Sequence, residues 1–177
     1  MDAREDMTRP MPTARKGSLA RGLIAALTAT VVISLLMLLK QALGFMPNVN
    51  LVMELANAFS YHSATAGWTA HFVIGVLAWG LLFSWLDRYM RFAHWVNGLF
   101  FASVVWLGVM LIVLPAAGRG LFGARGLELG TPTVTLLLHW IYGFVLGSVY
   151  GLLQPEKWAS FRHRLVHWQH PHWLHHA

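Results

Sequence analysis

Cysteine is absent from the chain, and with it any disulfide framework, thiolate metal site or thiol nucleophile. Charge is nearly as scarce. Asp, Glu, Lys and Arg make up 11% of 177 residues, where a soluble domain carries about 25%. A nucleotide-binding loop, a Ser/His/Asp signature and paired carboxylates within apolar runs are also missing, so the sequence leans away from an enzyme. A pump or channel is disfavoured for a related reason, because the apolar runs hold almost no charge to line a pathway. What fills the chain is apolar: 56% of it is hydrophobic, which places it in the membrane class. The formal charge of +6 comes from short basic blocks beside apolar runs. That placement fits orientation in a bilayer and contact with anionic headgroups, and gives no reason to expect nucleic acid.

Four runs are long enough to cross a lipid bilayer: about 20–39, 66–86, 93–114 and 132–153. An all-α, integral membrane four-helix bundle is therefore expected over 20–153. A flexible basic tail (1–19) precedes it and a histidine-rich, basic tail (154–177) follows it. A secretory signal peptide competes for the first run, but KQALGFMP offers no convincing cleavage site. Between the first two runs, 44–62 is too polar to span. Asn48 is expected to cap a short interfacial helix (about 48–60), with Asn50, Glu54, Asn57 and Tyr61 on one face and Val49, Val52, Met53, Ala56 and Phe59 on the other. Pro115 closes the third run, and Thr131 is the expected cap of the fourth, with Pro132 as its first helical residue. The N-terminal tail with Arg21 of its basic collar, the 87–92 turn and the C-terminal tail carry five, two and three Lys or Arg, against Lys40, Arg119 and Arg125 on the other side. That asymmetry puts both termini in the cytoplasm of a multi-pass inner-membrane protein. Arg21-Gly22-Leu23 against Asn97-Gly98-Leu99, and His71/Gly75 against His139/Gly143, suggest a tandem repeat of two transmembrane hairpins.

Two histidines stand inside these runs. His71 and His139 are expected about 6 and 11 Å below the outer interface at 1.5 Å per residue. Ionisable groups at such depth face the bundle interior and find partners. Three readings follow: neutral imidazoles that hold the second and fourth spans together, a bis-histidine haem b site, or a divalent metal site or proton relay that recruits Glu54 and His62 from the outer segment. The structural reading is favoured, with no cofactor. Gly75 follows His71 by four residues, and Gly143, Gly147 and Gly151 continue from His139 at the same step. These small ridges let helices approach closely. If the second and fourth spans meet along them, no room is left for a macrocycle; if the ridges face a cavity, they make room. The ridge of the fourth span could equally serve a homo-oligomer or a membrane-protein partner.

The tail holds His163-x-x-x-His167 and His172-x-x-His175-His176. Di-iron desaturases carry similar boxes, but on separate helices, whereas these lie within one short tail. Weak Zn²⁺, Ni²⁺ or Cu²⁺ binding is open to them. The favoured reading is an amphipathic tail, its aromatic residues interleaved with Arg and His, resting on the inner leaflet.

The order Gly67-Trp68, His71, Gly75, then Trp106, Met110, Leu114-Pro115-Ala116, Gly118, Gly120-Leu121-Phe122-Gly123, then His139, Tyr142-Gly143, Gly147 resembles a family of small, uncharacterised bacterial four-span membrane proteins. The resemblance covers about 20–153. It implies the four-helix fold and a bacterial inner membrane, and it carries no activity. A non-catalytic membrane component or accessory subunit is the role expected from the sequence. A haem- or metal-binding protein for electron or proton transfer is the alternative.

Overall fold

The computed structural model describes residues 18–127 and 129–154, and every regular element among them is helical. Helices α1 (Leu19–Ala42), α3 (Ala64–Asp87), α4 (His94–Ala116) and α5 (Thr131–Leu152) are long and apolar enough to cross a membrane. A short α2 (Leu51–Ala58) lies between the first two, and a 3-10 turn (Leu121–Gly123) sits in the last connection. The expected all-α four-helix architecture is thus present. Most of the N-terminal tail lies outside the described residues. So does the histidine tail, with His163, His167, His172, His175 and His176.

The helices pack in the order α3–α1–α5–α4. Helix α1 lies between α3 and α5, and α5 packs along α4. The edge from α4 back to α3 is different: these two helices meet near their short connecting turn, where Trp79 and Phe83 set their rings edge-on against Phe101, and hardly touch beyond it. The Arg21 guanidinium donates to Gln154 Oε1 at 2.5 Å, so α1 begins and α5 finishes at the same end of the bundle. This is the terminal end; the α3–α4 turn lies there too.

At the terminal end the helices approach through small residues. Gly22 of α1 faces the Gly80 carbonyl of α3, and the Ala26 methyl covers Gly80. The other hairpin repeats the arrangement. Gly98 of α4 faces the Gly143 carbonyl of α5, and the Ala102 methyl covers Gly143. A Cβ on Gly98 would fall on the Gly143 carbonyl oxygen, and one on Gly147 would fall on that of His94. Lipid tails are as apolar as the helices, so this close packing, rather than hydrophobic transfer, holds such pairs together. The ridge of Gly143, Gly147 and Gly151 is therefore used against α4. It neither joins α5 to α3 nor lies open for a subunit, the uses considered from spacing alone.

Away from the terminal end the helices loosen. In α3 a widened π turn runs over Val73–Ala78, and in α4 another runs over Val109–Val113, with Pro115 in the final turn beyond it. Such turns loop one extra residue into a helix and recur at functional sites. The start of α2 differs from the expectation: Asn50, not Asn48, is the cap, and its Oδ1 accepts from the Met53 amide at 3.2 Å. Its expected polar and apolar faces are also mixed. Glu54 is buried with Val52 and Ala56, while Phe59 and Tyr61 are exposed. The cap of α5 is Gly130, one residue before the expected Thr131. Lys40, at the end of α1, donates to the Phe45, Met46 and Val49 carbonyls at 2.9–3.0 Å and ties down the connection to α2.

Candidate functional site

Where α3 and α4 part, a chamber of about 230 Å³ opens between them, and α2 roofs it with Leu51, Glu54 and Leu55. Both π turns border it, through Ile74 and Gly75 on one side and Val109 and Val113 on the other. His71 and His139 both line it. They stand seven and eight residues into α3 and α5. At 1.5 Å per residue that is about 10 and 12 Å along their own helices. His71 and His139, expected at one interior site, thus line the same cavity and do not stand in a direct contact between the second and fourth spans.

The hydrogen bonds assign the ring protons. Ser34 Oγ on α1 donates its one proton to the Thr30 carbonyl at 2.7 Å. Its 3.0 Å contact with His71 Nε2 then requires the imidazole to donate, so neutral His71 carries its proton on Nε2 and a lone pair on Nδ1. His139 Nδ1 lies 2.7 Å from the Thr135 carbonyl, which can only accept. Neutral His139 therefore presents its Nε2 lone pair. Tyr142 uses its proton as well, donating to the Gly75 carbonyl at 2.6 Å inside the α3 π turn. Thr30 is wholly buried on the chamber wall. Its hydroxyl meets no partner at hydrogen-bond geometry, and its polar neighbour is the Tyr142 oxygen. The two imidazoles thus offer acceptors to the chamber, while the Thr30 hydroxyl keeps a proton to donate.

A second layer fixes His139. The Thr135 hydroxyl donates to the Thr131 carbonyl at 2.7 Å and accepts from the Trp106 indole at 3.1 Å. The Trp106 ring is met edge-on by Phe122 from the glycine-rich connection. That connection turns sharply at Gly118 and Gly120, both at positive φ, where glycine alone is unstrained. Its Arg119 reaches across to the roof: Nε and Nη2 donate to the two Glu54 carboxylate oxygens at 2.9 and 2.8 Å. These hydrogen bonds, then the carboxylate charge, hold the Arg119 guanidinium further above its ordinary range. The loop that carries much of the sequence pattern thus sets the roof and, through Trp106 and Thr135, one imidazole.

Other expected ligands do not join the pair. Glu54 borders the chamber, but Arg119 occupies both of its oxygens. His62 is exposed near the start of α3, with Nδ1 at 3.1 Å from Asn57 Oδ1. Among the described residues, no group of three or more His, Asp or Glu side chains is gathered as a metal site would need. Sequence reasoning missed Ser34, Thr30, Thr135 and the Arg119 clamp. It also missed a buried polar centre at the terminal end. His94 Nδ1 lies 2.8 Å from Asp87 Oδ2, and Asn97 Nδ2 donates to Asp87 Oδ1 at 2.7 Å. A carboxylate and an imidazole seven residues apart around a tight turn, in a chain so poor in charge, was the signal available.

The family of unknown function DUF6789 matches the sequence over residues 17–160. No curated protein and no solved structure matches it.

Proposed function

Because the chain belongs to this family of unknown function, we propose a role from the chamber: a non-catalytic component of the inner membrane that holds a small, lipid-soluble molecule between α3 and α4. The excess of Lys and Arg on the tails and the 87–92 turn supports cytoplasmic termini, which puts the chamber in the outer half of the bilayer. The matching Gly-x-x-x-Ala contacts of the two hairpins, Gly22/Ala26 on Gly80 and Gly98/Ala102 on Gly143, support a tandem origin. The observation that carries the functional reading is the lipid-side gap in the α3–α1–α5–α4 ring, opening onto an apolar chamber with two fixed imidazoles. The test is extraction of detergent-purified protein and mass spectrometry of what co-purifies. An Ile74→Trp variant, which fills the chamber from its wall, should lose a lipid-soluble species that the wild type retains. Equal recovery from the two, with the variant folded by circular dichroism, would defeat the proposal.

A second reading, a metal ion or haem iron on His71 and His139, has one observation in its favour. An Nδ1–H bonded to a carbonyl, as in His139, is how metal-ligating histidines are oriented. The volume of about 230 Å³ weighs against haem, which exceeds the drug-sized ligands that occupy roughly 300–1,000 Å³. A Soret band lost in His71→Ala and His139→Ala would establish haem, and metal analysis of the same proteins decides the rest.

A further inference from the structure

Resting on the ligand-chamber reading, we infer that the occupant is the ring of a lipid-soluble hydroquinone, and that the site prefers it to the oxidised quinone. The argument begins with the protons already assigned. Ser34 and Thr135 fix the two imidazoles in tautomers that leave His71 Nδ1 and His139 Nε2 as acceptors. A well-matched ligand must therefore bring donors. Two acceptors on different helices around one chamber are answered by two hydroxyls at opposite ends of a flat ring. An alcohol or a protonated fatty acid brings one donor and leaves one nitrogen unmet. A quinone brings none: it can accept from the Thr30 hydroxyl, but it leaves both imidazole lone pairs unmet.

Charge and size narrow the choice in the same direction. Arg119 neutralises Glu54, the carboxylate on the chamber wall, through two hydrogen bonds, so the site offers no unpaired charge to an ammonium or carboxylate head. A cavity of about 150 Å³ is enough to hold benzene, so the larger volume here admits one substituted ring. Trp79, Ile74 and Val109 give that ring apolar walls. The hydrocarbon chain has its own exit, because α3 and α4 hardly touch beyond their turn and the gap between them lies on the outer edge of the bundle.

The experiment is anaerobic isothermal titration of the full-length protein in detergent with three probes: decyl-ubiquinol, decyl-ubiquinone and dodecanol. The hydroquinone is expected to bind at least about tenfold more tightly than either of the others, the worth of one hydrogen bond left unmade at a buried site. His139→Leu and His71→Leu should each weaken hydroquinone binding by about tenfold and bring its affinity towards that of the quinone. Equal affinity for hydroquinone and quinone, or for hydroquinone and dodecanol, would overturn the inference. So would folded histidine variants that bind as the wild type does. If those variants fail to fold, the ratio of the three probes on the wild type still decides. Failure of the chamber reading itself looks different: no probe binds, and Ile74→Trp co-purifies with the same lipids as the wild type.

Discussion

The two ends of the bundle use the same residue types to opposite effect. At the terminal end, glycines bring backbones into contact, and His94 is tied to Asp87 beside Asn97. At the other end, Gly75 lies in a π turn beside a chamber, and His71 and His139 each keep one ring nitrogen without a partner among the described residues. His94 is also bonded through one nitrogen, but to a carboxylate, and its ring packs against Tyr150 and Gly151. His71 and His139 are held by a hydroxyl and a carbonyl and border a cavity instead. The difference teaches that what the ring is bonded to and packs against, rather than depth in the membrane, separates the structural histidine from the candidate binding ones.

The largest effect should come from breaking the terminal centre. Asp87→Ala leaves His94 Nδ1 and Asn97 Nδ2 buried without their acceptor and should cost about 3–5 kcal/mol of stability, read as a fall in Tm of the detergent-solubilised protein. A result below 1 kcal/mol would erase the distinction between the two ends. Next, Gly98→Ala drives a methyl onto the Gly143 carbonyl and should cost about 1–3 kcal/mol in the same melt. Arg119→Met releases Glu54 from its clamp. With the Arg119 side chain 34% exposed, solvent recovers part of the loss, so about 1–2 kcal/mol is expected, together with easier reagent access to a cysteine introduced at Leu138 on the chamber wall. His139→Leu should cost less than about 1 kcal/mol in stability, since such bonds contribute little in membranes, while weakening binding of the chamber ligand by about tenfold. Smallest of all, Gly108→Ala meets nothing within 4 Å and should move stability by less than about 0.5 kcal/mol.

Much of this was legible in the sequence. Four apolar runs bounded by basic blocks point to four helices because the bilayer sets the length of a span. His71 and His139 stand out because a polar ring at that depth needs an interior position. The rest was hidden for identifiable reasons. Glu54 and Arg119 lie 65 residues apart, and nothing local to either shows that they meet. The π turns leave no trace in helices that are apolar on nearly every side, since a shift of phase needs a polar face to be seen. Gly143, Gly147 and Gly151 announced a close contact, but α4 as the partner depended on the packing order of the bundle. On α2 the face reading failed because Arg119 allows a carboxylate to sit where an apolar side chain was expected.

The extra residue in the α3 turn has a consequence beyond the chamber it borders. Each residue added to a helix swings everything after it by about 100° around the axis. The wide turn at Val73–Ala78 absorbs that swing, so Gly80 and Ser84 still face Gly22. Deleting one position there would even out the ladder and leave the seam in place, whereas straightening the helix at its present length would carry Gly80 and Ser84 away and forfeit the seam below the hollow.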